Sequence, residues 1–195
     1  MNLPGISKGE SERGSTMFPH SFAYEVAQSI IEELRDVCEK IEIAGSIRRN
    51  KPCVNDVDII AIPRCSEERD DSLFGEPQMQ NLLERKLAYL CMNRLLSLEA
   101  NGPKIKRFIK TVDGDDVPID LYIASKQSWW THLLIRTGSK THNIKLARRA
   151  QDLHMQLKAD GSGLLTPGGD VVQLENEEHV FRLLGLAYRT PEERE

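Results

Sequence analysis

The sequence predicts an α+β fold, and three observations carry that prediction. Val54–Ile62 and Val117–Ile123 are short Val- and Ile-rich runs, the signature of buried strands. Pro19–Val37 and Gln78–Leu98 instead repeat apolar side chains at helical spacing. Asp113-Gly114-Asp115-Asp116 is a hairpin-type turn, so the sheet contains antiparallel pairing and helices flank it.

In chain order, residues 1–17 are rich in Gly, Ser and charge and read as an arm rather than a signal peptide. Leu3-Pro4-Gly5-Ile6 within it bears a faint likeness to the glycine turn of a helix-hairpin-helix. Pro19 suits a first helical turn, and Phe22, Val26, Ile30 and Leu34 form one stripe of a helix ending near Val37. A short strand from Ile41 enters a Gly45-Ser46 turn, and Ser46-Ile47-Arg48-Arg49 opens a short helix. The strand 54–62 follows. Cys65 to Glu76 is charged and reads as a loop. Gln78–Leu98 is expected to be one long structural helix.

Asn101-Gly102-Pro103 is a turn. Lys104–Lys110 alternates basic and apolar residues with Arg107 out of step, a strand with lysine on one face. Lys104, Lys106 and Lys110 then either keep an edge strand soluble or contact a nucleic-acid backbone. Trp129 and Trp130 either pack between two parts of the chain or stack on a base. Ser139 can cap a helix running to about Leu157. That helix carries Asn143, Lys145, Arg148 and Arg149. Ala159–Val172 reads as loops with a short hairpin, and Glu175–Leu184 as a last helix.

The chain has 195 residues and a net charge of −4, and the charge lies wholly in residues 1–126. No run of 18 apolar residues occurs, so no membrane span is expected. Four cysteines form no C-x-x-C pair, and the five histidines show no zinc spacing. Reduced thiols in a cytoplasmic compartment are expected, the nucleus not being excluded. The acidic balance predicts salt-sensitive binding to any nucleic acid.

Asp56 and Asp58 stand two apart in the strand pattern and so face one side. Like charges that close repel unless a cation lies between them, and a divalent metal is the natural one. Gly45-Ser46 upstream frees backbone N–H groups for phosphate, and arginine neutralises phosphate charge. Asp120 sits in a second apolar strand. Should the strands be neighbours, three carboxylates converge, a set able to hold two metals.

G-S-x-R-R, D-x-D and a later strand Asp together resemble the DNA polymerase beta-like, family X, nucleotidyltransferases. Leu134-Ile135-Arg136-Thr137-Gly138-Ser139, with Asn143 beyond, is similar to the family's T-G-S-x-x-x-N segment. Val180–Glu195 resembles its closing L-G-L-x-Y-x-x-P-x-x-R. The resemblance runs from about Ser21 to the last residue. It implies a catalytic palm over 18–126 and a small α+β thumb over 127–195, in a minimal form without the lyase and helix-hairpin-helix regions of longer members. It implies a monomeric DNA-directed DNA polymerase acting on primer-template or gapped DNA and dNTP, filling short gaps in repair. Two Mg²⁺ ions, with Mn²⁺ as a substitute, would be held by Asp56, Asp58 and Asp120. Gly45, Ser46, Arg49 and Asn55 would meet the triphosphate, with Arg48 pairing elsewhere. Ile135, Arg136, Thr137, Gly138, Ser139 and Asn143 would line the nucleotide. Lys104, Lys106, Lys110, Lys145, Arg148 and Arg149 would contact DNA.

The chain departs from the family at three places. Asn55 stands where members often have Gly. Ile135-Arg136 replaces an aromatic pair under the sugar, which predicts weak discrimination against ribonucleotides. Pro118 replaces a basic residue two before Asp120. Untemplated addition, transfer to another substrate, and a non-catalytic binding module are the competing readings, and the intact Asp trio speaks against the last.

Overall fold

The computed structural model describes residues 16–68 and 78–195. The arm before Thr16, with its Leu3–Ile6 segment, lies outside the described residues. A two-residue strand β1 (Phe18–Pro19) leads into helix α1 (His20–Leu34), which a 3₁₀ turn extends to Val37. Strand β2 (Cys38–Ile43) and the single-turn helix α2 (Gly45–Arg48) follow. Then come β3 (Cys53–Val54), β4 (Val57–Pro63), β5 (Cys65–Glu68) and β6 (Gln78–Asn81). Helix α3 (Leu82–Met92) precedes β7 (Ser97–Asn101), β8 (Ile105–Val112) and β9 (Asp115–Ile123). The C-terminal part holds α4 (Trp129–Thr137), α5 (Lys140–Asp152), β10 (Gln156–Leu157), β11 (Leu164–Leu165) and α6 (Glu177–Leu183).

The main sheet runs β2-β4-β9-β8-β7. Its central pair, β4 and β9, is parallel, and its other pairs are antiparallel. Side-chain alternation divides it into two faces. Val57, Ile59, Ala61, Val117, Ile119, Leu121 and Phe108 form one face, buried beneath α1 and α3. Ile60, Ile62 and Tyr122 lie on the other, with Ala44, Trp129 and Leu133. A third apolar cluster joins Leu134, Ile135, Leu146, Leu157, Leu164 and Phe181. Helix α4 thus feeds both of the last two clusters and couples the sheet to the C-terminal part.

Several stretches differ from the sequence reading; among them, the helix expected to reach Leu157 ends at Asp152. Cys65–Glu68 is a strand, paired with Gln78–Asn81, where a loop was expected. The long helix is shorter at both ends. Asn81 starts it, its Oδ1 accepting from the N–H of Leu83 at 3.0 Å and of Glu84 at 3.3 Å. Arg94, at φ +57°, turns the chain out of it. Ser97–Asn101 then pairs with β8, so β8 is interior to the sheet and β7 is its edge. Asp56 also falls just before β4 rather than within a strand, because the chain bends at Asn55 between β3 and β4.

The tryptophans pack at the junction. Trp129 is buried, closed to any base, and Lys40 Nζ lies 4.3 Å from the ring centroids of both Trp129 and Trp130.

Asn81→Ala leaves the first α3 N–H groups without their acceptor and is expected to cost about 1 kcal/mol. Asn81→Asp keeps the acceptor and should lose little. Urea midpoints at constant slope compare the two.

Candidate active site

The β4–β9 register sets Asp58 beside Asp120, and Asp56 enters from the bend before β4. All three lie where the strands meet the Gly45 turn. Gly45 adopts φ +61°, and a Cβ there would collide with the Asp58 carboxylate. Only glycine lets the turn approach the acid this closely. The Ala44 N–H donates to the Asp58 carbonyl at 2.8 Å, fixing turn and strand together. α2 begins at Gly45, so its first-turn N–H groups have no partner within the helix.

Electrostatically the nearby arginines do not balance the repulsion and burial of the acids. Burial, then the charges of Asp56 and Asp120, push the Asp58 carboxyl up to about 7. Burial and Asp120 also raise Asp56, against the pull of Arg49 and Arg107. Asp120 is engaged from both sides: Arg107 Nε donates to Oδ1 at 3.1 Å, and Tyr122 Oη donates to Oδ2 at 3.2 Å. Burial, then Asp58 and Asp120, raise the Tyr122 hydroxyl and keep it protonated as a donor.

No three His, Cys, Asp or Glu side chains among the described residues are gathered closely enough to hold one ion as they stand. In charge and donor type, however, the three carboxylates fit a hard divalent cation, which would relieve the repulsion that raises Asp58. Asp120 would have to share or exchange its present partners.

A cavity of about 710 Å³ opens from this cluster toward α4 and α5. Gly45, Ser46, Arg49, Asn55, Asp56 and Asp58 line one wall, and Ile135, Arg136, Gly138, Ser139 and Asn143 the other. The second wall is built by the turn between α4 and α5. Gly138 sits at φ +70° and ends α4. The Gly138–Ser139 peptide is cis. Ser139 caps α5, its Oγ accepting from the His142 N–H at 3.2 Å. Asn143 Nδ2 donates to the Ile135 carbonyl at 2.7 Å, leaving Oδ1 buried without a partner in the described structure. Arg136 lies over the Tyr122 ring at 4.2 Å, and its Nη2 donates to the Asp160 carbonyl at 3.1 Å.

The two arginines of G-S-x-R-R diverge. Arg48 donates from Nη1 to Thr137 Oγ1 at 2.7 Å and forks onto Glu177 at 2.9 and 2.6 Å. Arg49 lines the cavity and donates to the Thr137 carbonyl, while its Nε is buried and unpartnered in the described structure. Both therefore grip Thr137, one by its hydroxyl and one by its backbone.

The basic residues expected at DNA are placed unevenly. Lys106 is 2% exposed and turned to the α3 side, its Nζ held by Asn101 Oδ1 at 2.6 Å and Glu84 Oε1 at 2.5 Å. Lys110 donates to Ser29 on α1. The expected lysine face of β8 is thus the face that packs on the helices, because Phe108 between the two lysines belongs to the core. Arg149 Nε donates to the Leu184 carbonyl at the end of α6, a structural contact. Lys104 pairs with Asp160 in solvent, and Lys145 and Arg148 are exposed on α5.

Two contributors escaped the sequence reading. Arg107 is one: strand alternation pairs it with Asp120. The other is the Glu177–Arg194 pair. Arg194 is wholly buried, and its Nη1 donates to Glu177 Oε1 at 2.7 Å. Its carbonyl accepts the Ser139 N–H at 3.0 Å. Burial alone would raise Glu177, but the arginines outweigh it and hold its carboxyl below the usual range.

The DNA polymerase beta thumb model matches residues 132–195. The chain is 27% identical over 189 residues to the DNA polymerase/3′-5′ exonuclease PolX of Bacillus subtilis (strain 168), covering 96% of this chain and 30% of that protein. It is 27% identical over 164 residues to DNA polymerase lambda of Rattus norvegicus, covering 77% of this chain and 28% of that one. Residues 132–195 match the polymerase beta thumb, and the chain as a whole is similar to DNA polymerases of family X. It spans under a third of the length of these curated relatives. The fold agrees: Leishmania infantum polymerase beta in a ternary P/T complex superposes with a TM-score of 0.76 at 22% identity, covering 92% of this chain and 77% of that one. Its ternary gap complex gives 0.76 at 20%, covering 92% and 71%.

Two outcomes test this electrostatic picture. Asp58 is protonated more readily folded than unfolded, so its contribution to stability is present at low pH and lost as pH rises through about 7. In metal-free buffer, Asp58→Asn should therefore raise Tm relative to the parent more at pH 8 than at pH 5. Glu177→Gln leaves two arginines without their anion and should destabilise the fold by about 3 kcal/mol in urea unfolding.

Proposed function

We propose that this chain transfers a deoxynucleoside monophosphate from a dNTP to the 3′-hydroxyl of a primer strand, filling short gaps in template DNA during repair. The observation that carries this reading is the cavity itself. It has carboxylates at one end, a first helical turn and an arginine on one wall, and an amide-bearing helix opposite.

In this reading Ser46, Arg49, Asn55 and the N–H groups of the Gly45 turn receive the β- and γ-phosphates. Arg49 also holds Thr137, so phosphate binding and the position of the Gly138 turn are coupled through one side chain. Gly138 leaves room for the sugar, and Asn143, with a free acceptor and a tethered amide nitrogen, meets the base edge. Asp56, Asp58 and Asp120 would hold Mg²⁺, with Mn²⁺ as a substitute, and bound ions would neutralise triphosphate charge and lower the pKa of the attacking hydroxyl. In this reading Asp120, beside Asp58 on the neighbouring strand, exchanges a present partner, orients the primer 3′-oxygen and takes its proton. That oxygen attacks the α-phosphate in line, the bond to the bridging oxygen breaks, and pyrophosphate leaves. The remaining contribution is positioning and charge compensation.

A second reading, untemplated addition to a 3′-end, shares every residue of the site. Its support is the exposure of Lys145 and Arg148, which contact any strand without base selectivity. Primer extension with single dNTPs on gapped, recessed and single-stranded DNA separates the two.

Asp120→Ala is expected to abolish primer extension while fluorescent-nucleotide binding stays within a few-fold of the parent; normal extension by this variant would remove the assignment. Ile135 and Arg136 present no aromatic ring beneath the sugar, so ATP and dATP should be incorporated with comparable kcat/KM. A strong preference for dATP would contradict this.

A further inference from the structure

Strand β8 sets Arg107 directly opposite Asp120 on β9. Alternation then decides which basic side chains of β8 reach the acid face of the sheet. Lys106 and Lys110 lie on the helix-covered face with Phe108. Arg107 shares its face with Asp120 and Tyr122. β7 and β9 contain no lysine or arginine. Arg107 is therefore the one cation that these three described strands bring to that face.

Its side chain is 55% exposed, against 18% for Asp120. The guanidinium is a planar fork with two usable edges. Nε is committed to Asp120 Oδ1 at 3.1 Å. No partner of the outer Nη groups is found among the described residues, and the side chain is more exposed than buried beside the carboxylates. Along β9 the neighbouring residue on the same face is Pro118, which carries neither charge nor N–H. An anionic strand approaching this flank otherwise meets three carboxylates and strong repulsion.

We propose that Arg107 is a positioning residue for the nucleic-acid strand whose 3′-end lies at Asp120. One edge of the guanidinium orients the Asp120 carboxylate, and the other receives a backbone phosphate of that strand. The proposal rests on the polymerase reading above and adds the contact that brings the primer end to its acid. Arg107 moves no proton and touches no reacting atom; it acts through Asp120 and through the phosphate it binds.

The test compares the parent, Arg107→Ala, Arg107→Gln and Arg107→Lys. Primer-template binding is measured by fluorescence anisotropy across salt, and primer extension is measured alongside. Because Arg107 is exposed, all four proteins should share one Tm within a few degrees. Loss of the phosphate contact should weaken primer-template binding by about tenfold in the Ala and Gln variants. The slope of log K against log salt should fall in magnitude by about 1. KM for dNTP should stay within twofold. Arg107→Lys should recover the salt slope but not the full extension rate, since a point charge cannot hold Asp120 and a phosphate in one plane.

Unchanged affinity and slope in Arg107→Ala, or a loss carried by the dNTP KM instead, overturns the proposal and leaves the polymerase reading standing. A parent that binds primer-template without extending it, with the slope change in Arg107→Ala, supports the contact and removes the catalytic reading. A parent that does neither sinks both.

Discussion

Glu177 between Arg48 and Arg194 is the interaction on which the site's architecture depends. The Arg48–Glu177 bond spans 129 positions of sequence. It joins the turn after β2, the start of α6 and the chain's last residues. All three groups lose hydration on folding, a cost that the forked, doubly hydrogen-bonded geometry offsets. What this ion triad secures is geometric. Arg48 also holds the Thr137 hydroxyl, and Arg194 offers its carbonyl to Ser139. The turn forming the far wall of the cavity is thus tied on both sides to groups that the triad immobilises.

Charge is distributed around the cavity in opposition. The acids lie at the start of β4 and beside it on β9, and the cations stand around them: Arg49 on the cavity wall, Arg107 paired with Asp120, Arg136 across the Tyr122 ring. Among the described residues Arg49 and Arg136 each keep an unpartnered Nε and Arg107 is 55% exposed, while another nitrogen of each is tethered. Tethering fixes the direction of the charge, and the free edge leaves capacity for an anion. This explains how a chain with net charge −4 can still present an attractive site to phosphates.

Much of the fold was legible locally. The β-branched runs located β4 and β9, the i, i+4 stripe located α1, and Asp113-Gly114 located the β8–β9 hairpin. The convergence of the three aspartates was legible only as a condition, because it needs β4 and β9 to pair in register, a long-range event. What failed did so for the same reason. β7 looked helical because Leu95 and Leu96 continue the α3 pattern, and only pairing with β8 recruits Ser97–Asn101 to the sheet. Cys65–Glu68 is too polar to read as a strand by itself. The lysines of β8 were assigned to the wrong face because alternation fixes parity but not which side is covered; Phe108 settles it. Arg194 closes the C-terminal motif, but nothing local links it to Glu177.

The Gly45 turn touches the acid strand so closely that the two cannot vary separately. Adding a single methyl group there forces the carboxylate of Asp58 aside or pushes the whole loop outward, along with every arginine it carries. The Gly45 turn and the carboxylate end of the cavity are therefore one mechanical unit. Any change in the shape of the cavity that leaves this unit intact has to come from the opposite wall.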